Sequence, residues 1–227
     1  MLIKKVDNKE QRFYEHTLYK AQDKVLALVD TDCFYLTGGT CLSRFYYFHR
    51  YSDDLDFFFR GDMYDDSRFN QQFAKVLSRL GNLGHVTVSV NEPSFKRAFI
   101  ELDGISLKIE FIYESYPVLG ERVKRGTFFI DTKENIAVNK ITAVYSRKTA
   151  KDFFDLYFLL QDYSLEELIK KAEIKMIPPS FEDLILALES SLWEGQVVTA
   201  GEIKEHEFLE FSKNLIEDIL KNAKQAG

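Results

Sequence analysis

Two glycines and two aspartates mark the segment of the chain most suited to chemistry. Gly38-Gly39 interrupts a β-prone run and lets the backbone approach a ligand closely, and Thr40 is suited to cap a helix whose first amide groups would bind phosphate. Asp54 and Asp56 stand two apart on a second β-prone run, so both carboxylates face one side. A phosphate-sized cradle beside paired carboxylates predicts Mg2+-dependent chemistry on a nucleoside triphosphate.

The turn between these two parts adds a cation. Arg50 carries a guanidinium that suits phosphate oxygens, and its alternative role is a salt bridge to Asp53. His49 beside it has no nucleophile nearby in the sequence, so we interpret it as structural.

A third carboxylate lies in a strongly apolar strand. Glu110 occurs in the second arm of a hairpin whose turn is Asp103-Gly104. An acid in such a run needs either a metal ion or a cationic partner. The two readings stay open here: Glu110 binds metal with the paired aspartates, or it pairs with Lys108 or with an arginine of the neighbouring strand.

Two later helices carry charged residues among apolar ones. Lys140 is surrounded at helical spacing by apolar residues, which is unusual unless the ammonium reaches an anion or a polar surface. Asp152 and Asp155 lie near one face of the next helix. Asp152 has an alternative role as a helix cap, and Asp155 has one as an ion-pair partner of Lys148 or Lys151.

The elements that position these residues are predicted from periodicity. Strands are expected at 33–37, 54–59, 86–91, 97–102, 105–113 and 127–130, and helices at 8–29, 67–80, 133–145, 165–172, 181–192 and 203–224. The change to helical periodicity places a domain boundary near residue 131. We therefore predict an α+β fold, with a core of a mixed sheet flanked by helices (1–130) and a C-terminal helical bundle (131–227).

Composition limits the function class. Of the 227 residues, 45% are hydrophobic and 29% are charged, which is typical of a globular protein. The net charge of −6 argues against a nonspecific coat for nucleic acid but allows a local basic groove. The N-terminus lacks the apolar segment of a signal peptide and no apolar run reaches membrane-spanning length, so we expect a cytoplasmic protein without membrane contact.

The motifs together resemble a known family. Gly38-Gly39-Thr40 followed by His49-Arg50-x-Ser52-x-Asp54-Leu55-Asp56-Phe57 is similar to the DNA polymerase β-type nucleotidyltransferase superfamily, and within it to the AbiEii toxin branch. The similarity continues through Lys140 and the segment 147–156. It implies that Asp54, Asp56 and Glu110 hold Mg2+, and that catalysis uses Asp54, Asp56, Lys140 and either Asp152 or Asp155. Nucleotide binding is expected at Gly38, Gly39, Thr40, Arg50 and Ser52.

The resemblance implies transfer of a nucleotide from a nucleoside triphosphate to a hydroxyl of RNA, such as tRNA, or of a protein. The enzyme would be the toxin of a toxin–antitoxin or abortive-infection system, with an antitoxin protein as a partner. Such an enzyme needs Lys140 and Asp152 to line one cleft with Asp54 and Asp56. The alternatives are a nucleotidyltransferase acting on a small cationic molecule of the aminoglycoside type, favoured by the acidic charge, and a relative that binds nucleotide without catalysis.

Overall fold

The computed structural model describes residues 2–29, 33–60, 66–147, 149–175, 181–191, 195–203 and 205–226. The chain divides into two compact units. The sheet unit comprises residues 7–46 and 52–135, and the helical unit comprises residues 1–6, 47–51 and 136–227.

The strands and helices follow the predicted periodicity closely. The strands are β1 (Leu2–Lys5), β2 (Phe34–Thr37), β3 (Leu55–Arg60), β4 (His85–Asn91), β5 (Phe95–Leu102), β6 (Ile105–Glu114), β7 (Val123–Arg125), β8 (Phe128–Ile130) and β9 (Gln196–Thr199). The helices are α1 (Asn8–Phe13), α2 (Tyr19–Leu28), α3 (Gly38–Leu42), α4 (Asp66–Leu80), α5 (Lys133–Arg147), α6 (Ala150–Leu159), α7 (Leu165–Ala172), α8 (Phe181–Ser191) and α9 (Glu205–Ala226). Two π-helical segments, Tyr14–Leu18 and Ser43–Tyr47, follow α1 and α3.

The sheet unit is built on a seven-stranded mixed sheet in the order β4-β5-β6-β3-β2-β8-β7. The β3–β6 and β2–β8 pairs are parallel, and the other neighbours are antiparallel. This confirms the predicted α+β class with a mixed sheet. Among the described helices, none has the length and apolar character needed to cross a membrane.

Three strands, β1, β7 and β9, were not predicted from the sequence. Strand β7 lies between the predicted strands 105–113 and 127–130, where no strand was predicted, because three residues are too few to show alternation. Strand β9 interrupts the C-terminal part expected to be almost entirely helical, and it pairs in parallel with β1. Pairing between segments that lie so far apart in the sequence leaves no local signal.

One face of the large sheet is its core. Phe34, Phe57 and Phe111 point to this face and are fully buried. Helix α4 packs on it through Phe69 and Phe73, with ring centroids 6.1 Å from Phe34 and 5.2 Å from Phe111, respectively. Because side chains alternate along a strand, the residues between these aromatic positions point to the opposite face, where the first motifs lie.

Candidate active site

A row of polar side chains crosses the face of the sheet opposite α4. The strand register pairs Thr37 with Asp56, Asp56 with Glu110, and Glu110 with Arg97. Residues paired in register point to the same face. Strand β3 begins at Leu55, so Asp54 directly precedes it instead of lying within it.

The glycine motif and the aspartate motif touch each other. Gly38 has a φ of 70°, a left-handed conformation that glycine adopts without steric cost. A Cβ atom at position 38 would lie 2.8 Å from Oδ2 of Asp56. The backbone of the glycine turn therefore packs directly on the second carboxylate, and a side chain at this position has no room.

Replacing Gly38 with alanine should lower the rate of nucleotidyl transfer by about 10- to 100-fold. A shift of a catalytic group by ~1 Å commonly lowers a rate by this much. Gly104→Ala is the matched control: Gly104 has a φ of 80°, but a Cβ atom there meets nothing within 4 Å. Both variants should lose about 1–2 kcal/mol of stability from the left-handed conformation. Initial rates of nucleotide incorporation should fall only for Gly38→Ala, and equal rates for both variants would contradict this role.

Thr40 and Ser52, which we expect to bind nucleotide, also contact the aspartate motif. Thr40 and Ser52 are buried, and their hydroxyl oxygens lie 2.9 Å apart. The Thr40 hydroxyl also donates a hydrogen bond to the main-chain oxygen of Asp54. These bonds tie the helix that follows the glycines to the segment that enters β3.

Lys108 and Arg97 lie against the carboxylates of Asp54 and Glu110. The Lys108 ammonium lies 2.8 Å from Oδ2 of Asp54 and 3.3 Å from Oε1 of Glu110. The same Glu110 oxygen accepts a hydrogen bond of 2.7 Å from Arg97. Burial opposes charge on Lys108, but its hydrogen bonds and the charges of Asp54 and Glu110 outweigh this effect and raise its pKa. Both partners considered for Glu110 in the sequence analysis are thus present.

The donor set on this face suits a hard cation. Carboxylate oxygens are the protein ligands that Mg2+ takes, and Asp54, Asp56 and Glu110 supply three carboxylates here. Glu110 has two cationic partners, Arg97 and Lys108, and Asp54 shares Lys108 with it, so a metal ion bound by either carboxylate would compete with this lysine. In the described parts of the chain, no group of three or more acidic, histidine or cysteine side chains is assembled as a metal site.

Gln22 supports this motif from helix α2 and was not recognised in the sequence. Its side chain is fully buried, and its amide donates to the main-chain oxygens of Ser52 and Asp53 at 3.3 Å and 2.9 Å. Its oxygen accepts a hydrogen bond from Arg44. A polar residue in the apolar stripe of an amphipathic helix was the available signal.

Asp131 supports the glycine turn and was also missed. This fully buried carboxylate accepts a hydrogen bond of 2.6 Å from the hydroxyl of Thr37, the residue before Gly38. The Asn135 amide donates to both of its oxygens at 2.9 Å. An aspartate and an asparagine four apart at a predicted helix start could have indicated this arrangement.

A second charged cluster lies within the helical unit around Asp155. This carboxylate is fully buried and accepts two hydrogen bonds from Arg50, at 2.6 Å and 2.8 Å. His49 Nε2 lies 2.7 Å from it, and the Lys140 ammonium lies 2.6 Å from it. Burial alone would raise the pKa of Asp155, but the charges of Arg50 and Lys140 and the hydrogen bonds hold it well below its usual value.

His49 is buried in this cluster, and its structural role stays a prediction. Burial lowers its pKa below the usual value, against the effect of Asp155, so the ring is neutral at pH 7. Since Asp155 is ionised, Nε2 of His49 carries the hydrogen and donates it. The ring also stacks on Phe154, with centroids 5.8 Å apart.

Lys140 joins the two aspartates of helix α6. Its ammonium lies 2.6 Å from one oxygen of Asp152 and 2.6 Å from one oxygen of Asp155. Burial alone would raise the pKa of Asp152, but Lys140, Arg147 and the hydroxyl of Thr149 lower it. The side chain of Asp152 is 6% exposed and that of Asp155 is 0% exposed, so of the two aspartates only Asp152 has any contact with solvent.

The predicted site residues thus form two groups. Gly38, Asp56 and Glu110 meet on the sheet with Thr40, Ser52 and Asp54, while Arg50 meets Lys140, Asp152 and Asp155 in the helical unit. Gly39 is half-buried beside Gly38. The functional roles of all these residues, and the cleft that Lys140 and Asp152 would share with the sheet aspartates, stay predictions.

The chain is similar to several known proteins. Residues 25–223 match the family described as the nucleotidyl transferase AbiEii toxin of type IV toxin–antitoxin systems. An uncharacterized protein of Aquifex aeolicus is 36% identical over 171 residues, which cover 72% of this chain and 74% of that protein.

Solved structures share the fold. A putative nucleotidyltransferase from Helicobacter pylori superposes with a TM-score of 0.61 at 18% identity, covering 98% of this chain and 99% of that one. The nucleotidyltransferase toxin MenT4 from Mycobacterium tuberculosis superposes with a TM-score of 0.57 at 15% identity, covering 89% of this chain and 82% of that one. Because the family match spans most of the sequence and includes all four motifs, this chain belongs to the AbiEii nucleotidyltransferase toxin family.

Proposed function

We propose that this nucleotidyltransferase uses Mg2+ to move a nucleotide from a nucleoside triphosphate to a hydroxyl group of RNA, with a protein hydroxyl as the other acceptor. The observation that carries this proposal is the contact between the Gly38 backbone and Asp56 on the polar face of the sheet. It brings a cradle for phosphate next to the carboxylates that suit a magnesium ion.

In this proposal the chain's own groups bind and orient the reactants. The half-exposed backbone of Gly38-Gly39 binds the triphosphate, while Asp54 and Asp56 hold Mg2+. The bound metal supplies positive charge that stabilises the phosphoryl oxygens. The network of Thr40, Ser52 and Gln22 keeps the aspartate segment in place.

The acceptor oxygen attacks the α-phosphorus, and the bond from that phosphorus to the leaving pyrophosphate breaks. The acceptor hydroxyl passes its proton to a solvent water molecule in the same step. Asp152 has a lowered pKa and therefore a weak tendency to accept a proton, which favours a role in positioning over a role as general base. In the proposal the Lys140 ammonium, which lies 2.6 Å from both Asp152 and Asp155, neutralises negative charge on the triphosphate.

The assay uses purified protein, each of the four nucleoside triphosphates labelled at the α-phosphate, and either total RNA, protein extract or an aminoglycoside as acceptor. We expect Mg2+-dependent label in RNA that ribonuclease removes. Label on the aminoglycoside alone would support the small-molecule alternative instead. Transfer from none of the nucleotides to any of the three acceptors would overturn the proposal.

The family description as a toxin of a type IV system supports a cellular partner as well. We therefore include in the proposal a toxin role and an antitoxin protein that counteracts it. Induced expression should arrest growth, and Asp56→Asn should relieve the arrest at equal protein level.

A further inference from the structure

Strand β7 concentrates positive charge at one edge of the large sheet. All three of its residues, including Lys124 and Arg125, are exposed, and Arg122 directly precedes them. No acidic residue occurs from 122 to 130, although the whole chain has a net charge of −6. With the exposed Glu121 counted beside Arg122, Lys124 and Arg125, this edge carries a local excess of two positive charges on an acidic protein.

Aromatic rings lie beneath two of these cations, Lys124 and Arg122. The Lys124 ammonium is 5.8 Å from the ring centroid of Phe129. The Arg122 guanidinium is 5.2 Å from the same ring and 5.5 Å from the ring of Tyr35. Guanidinium groups and aromatic rings are the side chains on which unpaired bases of RNA stack.

Lys124 and the rings of Phe129 and Tyr35 share a face of the sheet with the carboxylate row, whereas Arg125, which pairs with Phe128, points to the opposite face. Tyr35 and Thr37 are two apart on β2, so they point to the same side as Asp56. The parallel register of β2 and β8 aligns Tyr35 with Phe129, which pairs with Lys124. The basic and aromatic row is thus displaced from the carboxylate row by two residues along β2, or about 7 Å.

Protection of the sheet edge against aggregation does not explain the arrangement. Charged residues on edge strands commonly serve that purpose. The opposite edge strand, β4, contains no lysine, arginine, aspartate or glutamate, so this sheet does not protect its edges by charge in general. Edge protection also gives no reason for the rings beneath the cations.

We propose that β7, together with Arg122 and Phe129, is the docking surface for the acceptor RNA. Lys124 contacts a phosphate on the face of the carboxylate row and Arg125 contacts one around the edge of the sheet, while the Arg122 guanidinium, held on the Phe129 ring, offers a stacking surface for an unpaired base. An acidic protein partner would use the charges alone, so the combination of cations and rings favours RNA. The inference rests on the proposed function, because it names the place where the acceptor of that reaction binds.

The test measures binding apart from catalysis. A fluorescein-labelled single-stranded RNA of about 12 nucleotides is titrated with the full chain, without nucleotide or Mg2+, at several salt concentrations. Lys124→Gln/Arg125→Gln should weaken binding about 10- to 100-fold and reduce the slope of log affinity against log salt by about 1.4, since each contact to single-stranded RNA contributes about 0.7. The matched control is Lys9→Gln/Lys20→Gln, which removes two exposed cations of the same unit and should leave both values unchanged.

Each outcome bears on the proposal. Equal binding by the β7 double variant and the wild type, with both folded by circular dichroism, would overturn it. Equal loss in both double variants would show a general charge effect and would also overturn it, as would polyglutamate binding to β7 as tightly as the RNA does. If the wild type binds RNA through β7 but labels no acceptor, the docking surface stands and the proposed reaction fails.

Discussion

Asp56→Asn should reduce nucleotidyl transfer by about 10³-fold or more while changing the free energy of unfolding by less than about 1 kcal/mol. In the proposed mechanism Asp56 would hold a metal ion worth several kcal/mol of charge stabilisation, and ~4 kcal/mol corresponds to about 10³ in rate. The amide has nearly the shape of the carboxylate, so the contact with the Gly38 backbone is kept. The loss should therefore come from the missing charge.

The measurement is the initial rate of label transfer over a range of Mg2+ concentrations, with urea unfolding as a check on stability. Asp103→Asn is the matched control, because Asp103 is an exposed aspartate at a hairpin turn in the same unit. Its left-handed φ of 53° is one that asparagine also adopts. If Asp56→Asn transferred nucleotide at the wild-type rate, the proposed role of the sheet carboxylates in catalysis would be wrong.

The elements of the sheet unit could be predicted because their signals are local. Alternation in β3 and β6 determines which residues face the core, so it also determines that Asp56 and Glu110 face away from it. The Asp103-Gly104 turn even fixes the register of β5 and β6, and thereby places Arg97 opposite Glu110. An arginine of the neighbouring strand was expected as one possible partner of Glu110, but Arg97 was not identified from the sequence.

The partners of the second cluster could not be predicted, because they are distant in the sequence. Arg50 bonds to Asp155, which lies 105 residues away, whereas the sequence analysis considered the nearby Asp53 for this arginine. For Asp155 it considered Lys148, which lies outside the described residues, and Lys151. Nearness in the sequence is a poor guide to ion pairs between helices and loops, since tertiary packing decides them.

The two aspartates of helix α6 differ in how deeply they are buried. Helical periodicity in the sequence could not predict this difference. Both residues lie on the inner face of the helix, three positions apart. Asp155 is surrounded by groups of the protein on all its hydrogen-bonding positions, while Asp152 keeps a small exposed area beside Arg147. We therefore assign stability chiefly to Asp155 and function chiefly to Asp152.

Asp155→Asn should lower the free energy of unfolding by about 3–5 kcal/mol at pH 7, the usual cost of removing one partner of a buried ion pair. The neutral amide leaves the buried Arg50 guanidinium without its bidentate acceptor and removes one of the two carboxylates of Lys140. Urea unfolding of the full chain measures the effect. Asp218→Asn in α9 is the control, because Asp218 and its partner Lys221 are mostly exposed and should contribute less than about 0.5 kcal/mol.

The dependence of this difference on pH tests whether the charge of Asp155 is responsible. Its pKa is lower in the folded protein than the value of about 3.9 for an unfolded chain, so the carboxylate stabilises the fold fully above that pH. Below pH 4 the unfolded chain binds a proton before the folded one does, and the advantage of the wild type over Asp155→Asn should shrink by up to about 1.4 kcal/mol per pH unit. Between pH 5 and pH 8 the Asp155 charge adds no pH dependence to the difference. A difference that stays the same from pH 7 to pH 3 would mean that the loss comes from altered packing of the amide, and a difference below about 1 kcal/mol at pH 7 would contradict the central role of Asp155 in holding Arg50 and Lys140.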